Sequence, residues 1–194
     1  TIATVASVAL FNSTMSLNNM VFQYFFNDTG KMGLAMVGSY APMVVFMALM
    51  GKLTKKYGKK SVIVTTMFIG AVSGVISIFA PISADTTGMI IYIVCLMGLN
   101  LGNAGFQISV WAIVADCIEV SYRKTGKSEE GSLYALYSFF RKLAQGVGPS
   151  LGLVIAVAMG YDAALGAQQP MEIAATMRYL VPGINIISAI GSII

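Results

Sequence analysis

The 194-residue chain is predicted to be an all-α polytopic membrane protein with six transmembrane helices, and three features carry that prediction. Hydrophobic residues make up 57% and charged residues only 10%, with a mean hydropathy of +0.78. A soluble domain carries about 25% charged residues, so a length that would fit one or two soluble domains is here membrane-embedded chain. The apolar residues fall into six runs, at residues 2–26, 32–50, 61–82, 88–115, 131–160 and 179–194, most of them long enough to cross a bilayer. The last run stops short and reads as truncated. Lysine and arginine, finally, concentrate in alternate loops. Backbone groups in lipid must bond within a segment or a closed barrel, and runs of this length without two-residue alternation are helices.

Composition also excludes several activities. The net charge of +4 comes from cations in short loops with no extended basic face, so nucleic acid is not an expected partner. With no histidine there is no Cys/His zinc site and no histidine-based triad. Cys95 and Cys117 lie in one predicted helix about 33 Å apart by helical rise, beyond disulfide reach. No nucleophile-and-base pair, phosphate loop or paired membrane carboxylates are present, so no enzyme and no cofactor is expected. The chain begins at Thr1 inside an apolar run without a charged leader, which reads as a segment of something longer with no signal peptide.

In the first run, Asn12, Ser16, Asn19 and Gln23 follow at spacings of four, three and four, one face of a helix. That face either lines a polar pathway, which makes Asn19 and Gln23 candidate substrate contacts, or bonds a neighbouring helix. The second run ends in Gly51–Lys60, with Lys52, Lys55, Lys56, Lys59 and Lys60. Arg123, Lys124 and Lys127 follow the fourth. Cytoplasmic loops hold such residues in excess, so these two segments are expected on the cytoplasmic side, those at Asp28, Asp85 and Asp162 on the other, and both chain ends inside. Arg178 is expected at the end of the loop leading to the sixth run. Gly70 and Gly74, Gly98 and Gly102, and Gly148 and Gly152 each lie four apart and are expected to let helices approach closely.

The fourth run carries Asn100, Asn103, Gln107 and Trp111 as a second polar stripe. Gln107 is deep enough to contact a substrate; Trp111 either joins it or anchors the helix at the interface. In the fifth run Arg141 and Lys142 lie about 15 Å from Gly131 by helical rise, close to mid-bilayer. Charge at that depth costs several kcal/mol unless it faces a partner or a watery cavity. The alternative is an ion pair joining helices, but no acid of this chain is expected at that depth.

The loop GKLTKKYGKK resembles the signature loop of the major facilitator superfamily, and the stretch from Trp111 to Gln145 narrows the resemblance. Ala115, Asp116 and Glu119, then Thr125, Gly126, Glu130 and Gly131, and finally Lys142 resemble the pattern of the glycoside-pentoside-hexuronide:cation symporters, of which the melibiose carrier is typical. Gly160, Tyr161 and Pro182 also fall where that family has them. Val120 stands where the family has tyrosine and Ser128 where it has a loop arginine. The resemblance implies the carboxy-terminal six-helix half of a twelve-helix carrier, which pairs with an amino-terminal half and moves a sugar-like substrate together with sodium or a proton; the alternatives are another anionic or lipid-like substrate on the same fold, or a membrane scaffold subunit whose buried cations only pair with a partner protein. The coupling cation would be bound mainly by acids of the other half. It further implies a bacterial inner-membrane location, Lys142 and Arg141 at the substrate cavity, and a cytoplasmic gate of Asp116, Glu119, Arg123, Lys127 and Glu130. In that gate Lys127 or Arg123 would replace the missing arginine.

Overall fold

The computed structural model describes residues 2–27, 29–126, 130–165 and 169–193. The described residues form six long helices and no strand: α1 (Ile2–Met20), α2 (Thr29–Tyr57), α3 (Lys59–Phe79), α4 (Thr86–Thr125), α5 (Glu130–Ala158) and α6 (Met171–Ile193). α1 runs on into a π-helical turn at Val21–Phe25, and a 3-10 turn at Ala163–Leu165 precedes α6. The expected helix count holds, but three boundaries are corrected. α2 runs seven residues past residue 50, to Tyr57, so most of the lysine-rich segment from Gly51 is helix and only Gly58 separates it from α3. α6 begins at Met171, eight residues before the apolar run, so Arg178 lies in a helix and not in a loop. Glu172 and Arg178 dilute the hydropathy there without breaking the helix. α4 continues ten residues past residue 115, carrying its charged end to Gly126, which caps it in the left-handed conformation.

Among the described residues four helices, α2, α3, α4 and α6, are long and apolar enough to cross a membrane. The other two owe their lower apolarity to Asn12, Ser16, Asn18 and Asn19 in α1 and to Arg141 and Lys142 in α5. These two helices pack on each other. α1 also packs on α6, α4 packs on α2 and α3, and α3 meets α6. Exchanging α1, α2 and α3 for α4, α5 and α6 therefore maps the principal packing pairs onto one another, the arrangement of a half built from two three-helix repeats.

Glycines make the tightest contacts, as their spacing predicts. A Cβ on Gly102 would lie 2.8 Å from the Gly70 Cα, and one on Gly148 or Gly152 would lie 2.6 Å from the carbonyl oxygen of Ala9 or Ser13. Only hydrogen on these α-carbons lets α3 meet α4 and α1 meet α5 so closely. Interhelical polar bonds add to the packing. Ser13 donates to the Gly148 carbonyl (2.6 Å), Asn103 Nδ2 to Asn185 Oδ1 (3.0 Å), and Asn100 Nδ2 to the Ser39 carbonyl (3.2 Å).

Two contacts define the ends of the bundle. Lys59, after a turn at Gly58 with φ 82°, reaches Asp116 near the far end of α4. At the other end the hydroxyls of Tyr24 and Tyr161 lie 3.1 Å apart. The α2–α3 turn and the end of α4 thus share one end of the bundle, as the alternation of charged loops requires.

Candidate functional site

The site is built on the facing sides of α4 and α5. Tyr134, Tyr137 and Arg141 recur at three and four residues on α5, and Gln107 and Trp111 at four on α4, so each set forms a stripe along its helix. Arg141 is half-buried and held at three points. Its Nη2 donates to Gln107 Oε1 (2.6 Å) and its Nη1 to the Tyr137 hydroxyl (2.9 Å). Its guanidinium carbon stands 4.8 Å from the centre of the Trp111 ring. Trp111 in turn meets Tyr137 edge-on at 5.2 Å and Tyr134 at 5.7 Å. A planar cation fixed by two hydrogen bonds and a ring face is well oriented, and stacking on tryptophan is the strongest of the cation–π contacts.

No acid takes part in this cluster. Gln107 and the tyrosine hydroxyl satisfy donors but leave the full positive charge in place, and among the described residues neither Arg141 nor Lys142 forms an ion pair. Lys142, about 100° further round the helix, is exposed on the side of α5 that the rest of the bundle leaves open. It makes no hydrogen bond among the described residues.

Gln107 also reaches a groove of about 440 Å³ between α1, α2 and α4, lined by Phe11, Met15, Tyr40, Met43, Asn103 and Gln107 among others. Mostly apolar walls with a few amides, in a volume of roughly 300–1,000 Å³, are the usual make-up of a small-molecule site. Gln107 thus connects the groove to the fixed cation. A smaller cavity of about 20 Å³ lies between Asn18, Asn100 and Asn185, and Asn18 Oδ1 accepts from the Tyr92 hydroxyl (2.8 Å).

The structure therefore brings together Arg141, Gln107 and Trp111, and it adds Tyr134 and Tyr137, which sequence reasoning missed. Their spacing to Arg141 is the signal that could have found them. It leaves Asn19 and Gln23 apart. Gly148 abuts Asn12, and Arg141 lies seven residues to one side of that level and Asn19 seven to the other, roughly 20 Å apart along the bundle by helical rise. Both Asn19 and Gln23 are exposed, Gln23 within the π-turn that the Phe26 amide closes on the Val21 carbonyl (3.2 Å). The polar stripe of α4 divides: Asn100 and Asn103 bond neighbouring helices, whereas Gln107 and Trp111 meet Arg141.

At the charged end Asp116 meets a residue outside the expected gate. Both its oxygens accept from Lys59 Nζ, at 2.8 and 2.7 Å, and Arg123 pairs one turn back with Glu119. Asp116 and Arg123 are two turns apart on one helix, about 10 Å by rise, whereas α3 packs along α4 and starts at Lys59. Glu130 opens α5, where its negative charge suits the helix N-terminus. Lys127 lies outside the described residues. Arg178, expected in a loop, is instead 5% exposed within α6, stacked 4.2 Å over Tyr179 and 5.6 Å from Phe25, with Nε and Nη1 unbonded among the described residues.

Comparison with known proteins agrees with this architecture. Residues 1–194 match the model of the family described as MFS/sugar transport protein. Over 160 residues the chain is 27% identical to the "Putative sulfoquinovose importer" of Escherichia coli (strain K12), covering 82% of this chain and 33% of that protein. It is 30% identical over 142 residues to the "Glucuronide carrier protein homolog" of the same organism, covering 73% and 30% respectively. An uncharacterised symporter of Bacillus subtilis (strain 168) is 27% identical over 159 residues, or 78% of this chain and 33% of that one. The chain spans about a third of the length of these curated relatives. No solved structure matches it. A family match over the whole chain, an all-helical fold with membrane-length helices, and the motifs around Asp116 and Lys142 agree: the chain belongs to the MFS/sugar transport protein family.

Proposed function

We propose that this chain is the carboxy-terminal half of a secondary active transporter that moves a sugar, glycoside or hexuronide together with a sodium ion or proton. Substrate would bind near the midplane between this bundle and an amino-terminal six-helix half, and access would alternate as the two halves rock. The observation that carries this reading is the Arg141 guanidinium, held by Gln107, Tyr137 and Trp111 beside a groove of small-molecule size. Binding and orienting are what such a cluster does. The coupling cation is assigned mainly to acids of the other half, with Lys142 as their counter-charge. The lysine-rich end of the bundle is assigned to the cytoplasm of a bacterial cell.

Within that range the anionic substrates fit best. Arg141 keeps its charge because its partners are neutral, and a sulfonate or carboxylate on a hydroxylated ring would match both the cation and the amides. Two relatives carry names of that chemistry, a sulfoquinovose importer and a glucuronide carrier homologue. The rival reading, a membrane scaffold whose cations only pair with another protein, gives no reason for a rigid guanidinium beside an open groove. Counterflow in proteoliposomes holding the intact protein tests the proposal, with a panel of neutral sugars, glycosides, uronic acids and sugar sulfonates under sodium or proton gradients. Uptake of an anionic sugar is expected; no exchange of any panel member would refute transport of this class.

A further inference from the structure

A second groove lies on the other side of α2, away from the Arg141 cluster. It has a volume of about 360 Å³ and runs between α2 and α3 over α4, lined by Leu53, Tyr57, Ser61, Thr65, Ile69 and Leu101 among others. Its walls are almost wholly apolar. Thr66 is also part of the wall, but its hydroxyl is satisfied by donating to the carbonyls of Val62 and Ile63.

One end of this groove abuts the α2–α3 turn, because Tyr57 and Ser61 line it and Gly58 lies between them. Five lysines crowd the same turn. Lys59 is occupied by Asp116, while Lys52, Lys55, Lys56 and Lys60 are exposed. The Lys56 ammonium stands 5.1 Å from the ring of Tyr57, so one of these cations is held against a wall of the groove. From Thr29 to Ala84 the sequence contains no aspartate or glutamate, and α2 and α3 have no acid of their own to neutralise the turn.

We propose that this groove is a binding site for an anionic phospholipid, with one acyl chain between α2 and α3 and the phosphate on Lys52, Lys55, Lys56 and Lys60. An apolar trough that ends under a lysine cluster repeats the two parts of such a lipid in the same order. Four or more basic residues at the end of a membrane helix attract anionic headgroups. Lysine stems also lie along apolar surface while their ammonium groups reach the polar layer. A free phosphate would use the lysines but not the groove, and a zwitterionic lipid the groove but not the net charge. The site does not depend on what the carrier moves.

Native mass spectrometry of the intact protein in detergent tests this, with palmitoyl-oleoyl phosphatidylglycerol, the phosphatidylcholine of the same chains, and glycerol 3-phosphate as probes. Phosphatidylglycerol should be retained about tenfold better than phosphatidylcholine, and glycerol 3-phosphate hardly at all. Joint replacement Lys52→Gln, Lys55→Gln, Lys56→Gln and Lys60→Gln should bring the two lipids to parity. Thr65→Trp, or Ile69→Trp in its place, should weaken phosphatidylglycerol retention with the lysines intact, and Lys124→Gln should change nothing. Equal retention of both lipids by the parent protein would overturn the proposal. So would retention of glycerol 3-phosphate matching that of phosphatidylglycerol, or a preference that survives the lysine replacements or both groove-filling variants.

Discussion

α2 and α5 stand in corresponding places of the two three-helix repeats, each packed on one central helix, α4 or α1, and each open on its other side. Both open sides are largely apolar, α5 exposing Leu136, Phe139, Val154 and Val157, and they differ in that α5 alone carries cations in mid-helix. α2 exposes Val37 and Val45, a surface that lipid or an apolar partner helix can cover without cost. α5 exposes Lys142 and offers Arg141, which hydrocarbon cannot cover. In hydrocarbon the cations of α5 would be destabilising, so under the proposed function the open face of α5 is expected to look into a wet cavity or at acids of the other half.

The comparison is broken most directly by removing the charge from α5. In the intact protein Lys142→Ala should abolish concentrative uptake, measured in cells or proteoliposomes, while inserted and monodisperse protein stays near parental amounts. The converse change puts charge on α2. Val45→Lys, near the middle of that helix, should sharply reduce the yield of folded protein in fluorescence-detected size exclusion. A lysine at a helix centre costs about 2.5–3.5 kcal/mol in membrane insertion.

A smaller effect is expected from the orientation of Arg141. Arg141→Lys keeps the charge but loses the planar fork and the stacking on Trp111, and should raise KM for an anionic sugar about tenfold with a smaller change in kcat. Gln107→Ala should move KM in the same direction. The close contact that seats α5 on α1 gives the next effect. Gly148→Ala should lower the thermal midpoint, since overpacking costs about 1–3 kcal/mol, whereas Gly146→Ala, where a Cβ would meet nothing within 4 Å, should be neutral. Smallest is the ion pair at the charged end. Asp116→Asn releases Lys59, both side chains about half exposed, and such a pair contributes roughly 0–1 kcal/mol. Exchange rates in single-molecule fluorescence should fall a few-fold with substrate affinity unchanged, because the pair ties α3 to α4 away from the groove.

Much of this contrast was legible in the sequence. An arginine and a lysine in mid-run are costly enough to stand out, and the four-residue spacing of Gln107 and Trp111 put them on one face. The small-residue pairs gave the close contacts because nothing but spacing is needed to predict them. Tyr134 and Tyr137 were hidden, since an aromatic residue in an apolar run looks like any lipid-facing side chain until its partner is known. The Lys59–Asp116 pair depends on how α3 lies along α4, a tertiary fact with no local signature. Arg178 misled in the opposite sense: a cation at the edge of an apolar run reads as a loop, yet here the helix continues through it and Phe25 and Tyr179 cover it.

On the proposed function, the open face of α5 meets water and substrate. The most direct test is the reactivity of Lys142→Cys in the intact protein, with Cys95 and Cys117 replaced by serine, towards a charged, membrane-impermeant methanethiosulfonate. The thiol should be modified, and a transported sugar should slow the modification several-fold. A thiol at residue 142 that stays unreactive in the folded protein, with and without substrate, would place this face against lipid and contradict the account.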